Sequence, residues 1–306
     1  MNFFEKLTIA AAQNDSLLCV GLDPDPSMIP DHCVVAFNRQ IIEATAHVAC
    51  AYKPNLAIYE AMGPSGLLSL EKTLDIIRQI TPNTPIIGDG KRADIGLCSI
   101  AYTKTLFDTY KFDAVTVNPY LGVDALAPFL DRKDKGVFIL CHTSNPGARD
   151  IQELKVIQGA DPIAHPLYEV VAELAQKWNS NGNVGLVVGA TYPEQISRVR
   201  QICPNMLFLI PGVGAQGGNI GKTVSCAIDG QGMGFIINVS RQIMYAAKTP
   251  RGVQSTPSQA IKKMRSVASR LRVEINSHLP LSPNKIGWLD QRPKQEALAM
   301  GGTTGR

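Results

Sequence analysis

Long hydrophobic runs and a strong charge of one sign are both missing from this sequence. No apolar stretch reaches the roughly 18 residues that a membrane-spanning helix needs. The 30 Lys and Arg residues nearly balance the 26 Asp and Glu residues, which leaves a formal net charge of +4. An excess this small does not indicate nucleic acid or a membrane as a partner. The first residues, MNFFEKLTIAAAQNDS, also lack the basic and apolar regions of a signal peptide.

Histidine and cysteine are few, and they are not spaced as metal ligands. The five histidines show no H-x-x-x-H or H-E-x-x-H pattern, and the cysteines form no C-x-x-C pair. We therefore expect no metal site, no disulfide framework and a reducing, cytoplasmic location. The seven cysteines are scattered along the chain at Cys19, Cys33, Cys50, Cys98, Cys141, Cys203 and Cys226.

Apolar residues, by contrast, make up 45% of the chain and recur in eight short runs. These runs lack alternation, which is typical of parallel strands buried on both faces. Amphipathic stretches of helix length separate most of them. The first four runs begin at residues 17, 51, 85 and 114, close to the roughly 30-residue repeat of a βαβ unit. The eight runs cover residues 17–23, 51–57, 85–91, 114–119, 136–144, 185–190, 207–213 and 234–240.

Eight such units predict an α/β protein with a (β/α)8 TIM barrel, although periodicity alone leaves a doubly wound sheet as the alternative. We expect residues 1–276 to form the barrel domain, ending in a helix from Ser258 to Asn276. Residues 148–166 are predicted to be an inserted loop. Residues 277–306 are rich in Pro and Gly and lack periodicity, which predicts a tail or linker.

Charged residues follow the predicted strands at their carboxyl ends, where α/β barrels carry their active sites. Asp89 and Lys91 are two residues apart, so on a strand both side chains point to the same side. Lys53, on the neighbouring strand, can reach Asp89 as well, and Asp94 would close the row. Such an array holds a lysine protonated beside a carboxylate, where it can repel a substrate carboxylate and deliver a proton. The alternative is a solvated salt bridge between Asp89 and Lys91 alone. The presence of Lys53 and Asp23 on adjacent strands argues against this alternative.

The last two strands end in a pattern that is typical of a phosphate site. Gly-rich backbone over residues 211–218 and the helix start after the eighth run offer N–H donors. Gln216 adds an amide donor, and Arg241 can bind a phosphate through two hydrogen bonds, unless it is a surface residue. Residues 212–217 also fit G-x-G-x-x-G, but no acidic residue follows at the spacing of a dinucleotide fold. We therefore expect no nicotinamide cofactor.

The segment Asp89-Gly90-Lys91-Arg92-Ala93-Asp94 resembles the D-x-K-x-x-D signature of the orotidine 5′-phosphate decarboxylase family, and its context, IIGDGKRADIG, resembles the longer bacterial subgroup. VGLDP, KPN, NPY, TSNPG, PGVGAQGG and NVSR resemble further motifs of that family, in the correct order over about residues 1–276. The resemblance implies a TIM barrel that converts orotidine 5′-phosphate (OMP) to UMP and CO2 in pyrimidine biosynthesis. It also implies that no cofactor or metal takes part.

The same resemblance implies roles for the site residues. Lys91 is expected to protonate C6 of the pyrimidine, Asp89 to stand against the departing carboxylate, and Lys53 to hold Asp89 and the ribose. Asp94 is expected to enter the partner's site, which makes the protein a homodimer with shared active sites. Cys98 stands where the family usually has Thr, which puts a contact to the partner's ribose in doubt. The other substrate-binding residues are expected to be Asp23 for the ribose, Ser144 for the pyrimidine, Gln216 and Arg241 for the phosphate, and Pro211 beside them.

Two other functions stay open on the sequence. A magnesium-dependent sibling, of the 3-keto-gulonate-phosphate decarboxylase or hexulose-phosphate synthase type, shares D-x-K-x-x-D and the phosphate site. It places a carboxylate where this sequence has Lys53. A non-catalytic barrel that binds a phosphosugar or nucleotide would tolerate losses among Lys53, Asp89, Lys91 and Asp94, all of which are present.

Overall fold

The computed structural model describes residues 1–29, 33–157, 162–214, 217–247 and 256–280. Its strands are β1 (Leu18–Leu22), β2 (Ala49–Pro54), β3 (Ile87–Arg92), β4 (Ala114–Val117), β5 (Gly136–His142), β6 (Lys155–Val156), β7 (His165–Pro166), β8 (Val184–Val188), β9 (Leu207–Ile210) and β10 (Phe235–Val239). Eight of them form one parallel sheet in the order β2-β1-β10-β9-β8-β5-β4-β3. Each overlaps one of the eight apolar runs of the sequence.

The sheet curls into a nearly closed barrel. Its two end strands, β2 and β3, are joined by parallel bridges between Tyr52 and Ile86 and between Asn55 and Asp89. Every residue of β1, β2, β4, β8, β9 and β10 is buried, because barrel strands pack against the interior on one face and helices on the other. The predicted (β/α)8 TIM barrel is therefore confirmed.

Helices alternate with the barrel strands, as the amphipathic stretches predict. They are α1 (Phe3–Asn14), α2 (Val34–Thr45), α3 (Leu56–Ala61), α4 (Gly63–Ile80), α5 (Gly96–Lys104), α6 (Val123–Leu130), α7 (Ala148–Ile151), α8 (Leu167–Trp178), α9 (Pro193–Ile202), α10 (Ile220–Ala227), α11 (Arg241–Met244) and α12 (Pro257–Ser277). A π-helical turn, Thr105–Thr109, continues α5. None of the helices in the described part of the chain is long and apolar enough to cross a membrane.

Helix α1 packs at the amino end of the barrel and leaves the carboxyl end open for a site. It begins with a capping box, in which the side chains of Asn2 and Glu5 accept each other's backbone N–H groups. Phe3 packs edge-on against Phe138 of β5, with ring centroids 5.7 Å apart. The Phe3 N–H also donates to the Asp134 carbonyl, just before β5 begins.

The segment 148–166 is more ordered than the predicted loop. It contains the short helix α7 and an antiparallel pair, β6 and β7, in which Val156 lies opposite His165. Elements of four and two residues are too short to produce a detectable hydrophobic period, which is why the sequence prediction was wrong here. Residues 158–161 and 281–306 lie outside the described residues, so the predicted boundary at 276 and the tail stay predictions.

Candidate active site

A cavity of about 480 Å³ opens at the carboxyl ends of the barrel strands. Its volume lies in the range of about 300–1,000 Å³ that is typical of small-molecule sites. Seven of the ten predicted site residues line it: Asp23, Lys53, Asp89, Lys91, Ser144, Pro211 and Arg241. The barrel topology brings these residues together, because each lies on a strand of the same parallel sheet or follows one.

Asp89, on β3, is the centre of a row of three charges that we name the Lys–Asp–Lys array (Lys53, Asp89 and Lys91). The Lys53 Nζ donates to Asp89 Oδ2 at 2.6 Å, and the Lys91 Nζ donates to Asp89 Oδ1 at 2.6 Å. The side chains of Asp89 and Lys53 are 9% and 5% exposed, whereas that of Lys91 is 47% exposed. Two lysines therefore hold a buried carboxylate, and one of them stands open to the cavity.

The charges of the Lys–Asp–Lys array stabilise one another. Burial alone would raise the pKa of Asp89, but the two adjacent ammonium groups hold it well below its ordinary value. Burial likewise opposes the charged form of Lys53, and the carboxylates of Asp89 and Asp23 raise its pKa above the ordinary value. Both groups therefore stay charged at neutral pH.

Asp23, which follows β1, brings a second carboxylate to the cavity. Its Oδ1 atom is buried and accepts no hydrogen bond from the described residues. An unsatisfied buried acceptor costs free energy unless a ligand or water supplies a donor. Because Asp23 lines the cavity, its carboxylate is placed to accept a hydrogen bond from a hydroxyl of a bound molecule.

Ser144 lies two residues after the end of β5, where neighbouring residues hold its backbone from two sides. The Thr191 hydroxyl donates to the Ser144 carbonyl at 3.0 Å. A Cβ on Gly189 would lie 2.6 Å from the Ser144 N and Cα atoms, so only glycine permits this close approach. The Gln152 side chain accepts the Thr143 N–H at 2.8 Å and donates to the Thr143 hydroxyl at 2.9 Å.

Pro211 and Arg241 form the opposite side of the cavity. Pro211 follows β9, and Arg241 is the exposed first residue of α11, after β10. Gly214, in the segment after β9, has a φ of +77°, and a Cβ there would clash with the Gln242 Oε1 atom. Gln216, the predicted amide donor, lies outside the described residues.

Asp94 and Cys98 do not line the cavity of their own chain. The Asp94 Oδ1 atom accepts the N–H of Ile95 at 2.8 Å, and Cys98 is exposed on α5. Around them lies an apolar patch at the starts of α5 and α6. Its exposed side chains are Ile95, Leu97, Ile100, Tyr120, Leu121 and Val123.

Thr116 and Gln152 are polar cavity residues that the sequence analysis did not name. Thr116 lies inside an apolar run, where a β-branched residue is typical of the core. Gln152 lies in the segment that the sequence predicts as a loop. A hydroxyl in an otherwise apolar buried strand was the available signal for Thr116.

Among the described residues, no group of three or more His, Cys, Asp or Glu side chains is arranged to hold a metal ion.

Comparisons with known proteins identify the family. The profile of the orotidine 5′-phosphate decarboxylase / HUMPS family matches residues 16–254. The orotidine 5′-phosphate decarboxylase of Thermomicrobium roseum is 46% identical over 282 residues, which cover 90% of this chain and 98% of that protein. The orotidine 5′-phosphate decarboxylase of Roseiflexus castenholzii is 46% identical over 286 residues, which cover 91% of this chain and 99% of that protein. The solved OMP decarboxylase of Leishmania donovani is similar with a TM-score of 0.78 and 38% identity, over 91% of this chain and 99% of that one. The resemblance of the sequence motifs is confirmed, and the chain belongs to the orotidine 5′-phosphate decarboxylase / HUMPS family.

Proposed function

We propose that the protein decarboxylates orotidine 5′-phosphate to UMP and CO2. The observation that carries the proposal is the Lys–Asp–Lys array, with Asp89 buried between two lysines at 2.6 Å each and Lys91 open to the cavity. The names of the relatives support the same reaction. Arg241, which also lines the cavity, adds a positive charge that suits an anionic substrate.

The proposed reaction breaks the bond between C6 of the pyrimidine and its carboxylate. The bonding electron pair stays on C6, CO2 leaves, and the Lys91 ammonium donates its proton to C6, becoming a neutral amine that regains a proton from water. The Asp89 carboxylate repels the substrate carboxylate, and this repulsion vanishes as neutral CO2 forms. The Lys91 ammonium, held at Asp89, stabilises the negative charge that develops on C6.

Substrate binding is assigned to the rest of the cavity. Asp23 and Lys53 bind the ribose hydroxyls, because both side chains line the cavity. Ser144 binds the amide edge of the pyrimidine, and Arg241 and Gln216 bind the phosphate beside Pro211. Binding energy from the phosphate, which is remote from C6, can then stabilise the transition state.

The active form is proposed to be a homodimer with shared sites. Asp94 lies away from its own cavity, beside the exposed apolar patch. A second copy of the chain would cover these exposed apolar side chains. In that dimer Asp94 joins the Lys–Asp–Lys array of the partner, and Cys98 lies next to the partner's ribose site.

The remaining assignments follow from the same proposal. Residues 1–276 form the catalytic barrel domain, and residues 277–306 form a tail or linker. The substrate is a free nucleotide, and neither nucleic acid nor a membrane is a partner. A cytoplasmic location is supported by the cysteines, all seven of which are free thiols.

Purified protein mixed with OMP provides the test. We expect the absorbance of OMP to fall as UMP and CO2 form, at a rate that EDTA leaves unchanged. Strict dependence on magnesium would favour the metal-using siblings within the family. Binding of OMP without any turnover would favour a non-catalytic barrel, and either result would reject the proposal.

A further inference from the structure

Thr116 occupies an irregular place in the barrel, opposite the catalytic end of β3. Regular pairing of β3 with β4 is interrupted: Gly88 pairs with Val115, and Arg92 pairs with Val117. Three residues of β3, 89–91, therefore lie opposite the single residue Thr116. This arrangement is a bulge, in which the ladder of backbone hydrogen bonds is broken on one strand.

The Thr116 hydroxyl takes the place of the missing ladder partner. Its Oγ1 atom accepts the backbone N–H of Lys91 at 3.0 Å. The same hydroxyl donates to Asp89 Oδ1 at 2.9 Å, the oxygen that also accepts the Lys91 Nζ. Thr116 thus contacts both the backbone of Lys91 and the carboxylate to which the Lys91 side chain is bound, and it is only 1% exposed.

The backbone of Lys91 needs such support. Its φ is +48°, a left-handed conformation that few residues other than glycine adopt. This conformation carries the chain through the bulge while the Lys91 ammonium still reaches Asp89. The Thr116 hydroxyl holds the backbone N–H of Lys91, and Asp89 holds the Lys91 ammonium. These two contacts together fix the direction of the Lys91 side chain.

We propose that Thr116 is a positioning residue for proton transfer, which acts through Asp89 and Lys91. Through its hydroxyl it fixes the left-handed backbone of Lys91 and one oxygen of Asp89 in a single geometry, so that the ammonium points at C6 of the bound nucleotide. The inference rests on the proposed function, because it assigns a geometry to the proton donor of that reaction.

Two variants separate the hydroxyl from the shape of the side chain. Thr116→Val keeps the volume and removes the hydroxyl, and Thr116→Ser keeps the hydroxyl and removes a methyl group. Loss of a hydrogen bond to a charged group changes an equilibrium constant by about tenfold to a hundredfold. We expect kcat of Thr116→Val to fall by about that factor, with KM for OMP and Kd for UMP within about twofold. Thr116→Ser should recover most of the lost kcat.

A matched control makes the same change in another buried threonine. Thr81 follows α4 at the other end of β3, and its hydroxyl donates to the Ile77 carbonyl. Thr81→Val should leave kcat at the wild-type value. The Kd for UMP and a urea unfolding curve establish that each variant is folded.

Exchange of the C6 hydrogen of UMP for deuterium provides a second measurement, because it needs proton transfer without decarboxylation. We expect the exchange rate of Thr116→Val to fall together with kcat. Wild-type kcat and exchange in that variant would overturn the inference and leave the proposed function intact, as would equal losses of kcat in Thr116→Val and Thr116→Ser. A wild-type protein without OMP turnover would reject both.

Discussion

Asp89 is the residue on which the electrostatics of the cavity depend. Its side chain is 9% exposed, and a carboxylate this buried is costly unless it is paired and hydrogen-bonded. Three donors satisfy it: the ammonium groups of Lys53 and Lys91 and the hydroxyl of Thr116. The carboxylate therefore remains ionised beside the place where a substrate carboxylate is proposed to bind.

Removing the charge of Asp89 is expected to lower stability. Asp89→Asn removes the carboxylate to which the buried Lys53 ammonium is hydrogen-bonded, and breaking a buried pair in this way costs about 3–5 kcal/mol. The pKa of Asp89 lies below its ordinary value in the folded protein. Its contribution is therefore complete above pH of about 4 and is lost as the pH falls further towards the folded pKa.

Urea unfolding at pH 7, 5 and 3 measures this effect. The difference in unfolding free energy between wild type and Asp89→Asn should be the same at pH 7 and 5 and smaller at pH 3. Asp75→Asn, an exposed carboxylate on α4, serves as the control and should change stability by less than about 1 kcal/mol. A difference that grows on acidification would contradict the assignment.

Loss of the Lys91 ammonium is expected to abolish turnover while nucleotide binding persists. Lys91→Ala removes the proposed proton donor, but it leaves Asp23, Ser144 and Arg241 in the cavity. Steady-state assays with OMP should show no measurable kcat, and titration calorimetry should show UMP binding within about tenfold of wild type. Lys72→Ala, a change on the exposed face of α4, should be fully active. Substantial turnover by Lys91→Ala would remove Lys91 from the proton-donor role.

At the scale of single elements, β3 differs from the regular strand that the sequence predicts. The i, i+2 spacing of Asp89 and Lys91 predicts the pair, and the two side chains do meet. They meet across a bulge, however, and not through simple alternation. The bulge depends on how β3 pairs with β4 and on the hydroxyl of Thr116. Such long-range pairing leaves no local trace in the residues of β3.

The segment between β5 and α8 also contributes to the site. Gln152, just after α7, lines the cavity and binds both the N–H and the hydroxyl of Thr143. We expect Gln152→Ala to release the backbone before Ser144 and to raise KM for OMP about tenfold, with a smaller effect on kcat. Steady-state kinetics provide the measurement.

Gln152→Glu refines this prediction. A carboxylate can still accept the Thr143 N–H but donates nothing to the hydroxyl, so its KM should lie between those of wild type and Gln152→Ala. Gln176→Ala, at an exposed position of α8, is the control. An unchanged KM in Gln152→Ala would show that the segment does not position Ser144.

At the scale of the whole molecule, the barrel was predictable because its signal repeats. Eight apolar runs at the spacing of βαβ units specify a parallel sheet, and the polar residues at their carboxyl ends then converge. Asp94 and Cys98 both lie outside the cavity of their own chain, next to the exposed apolar patch. The roles predicted for them therefore require the proposed dimer.

Complementation between two inactive variants tests whether the sites are shared. Lys91→Ala and Asp94→Asn should each be inactive as homodimers, since each lacks one part of every site. A mixed dimer, formed by unfolding and refolding the variants together, would have one site with both Lys91 and the partner's Asp94 intact. Random pairing then restores about a quarter of the wild-type activity. Mixing Lys91→Ala with Asp89→Asn is the matched control: both residues belong to one chain's array, so no mixed dimer contains an intact site. No recovery in the test mixture would show that Asp94 acts within its own chain or outside the site. Recovery in the control would show that the regained activity does not come from sites shared between two chains.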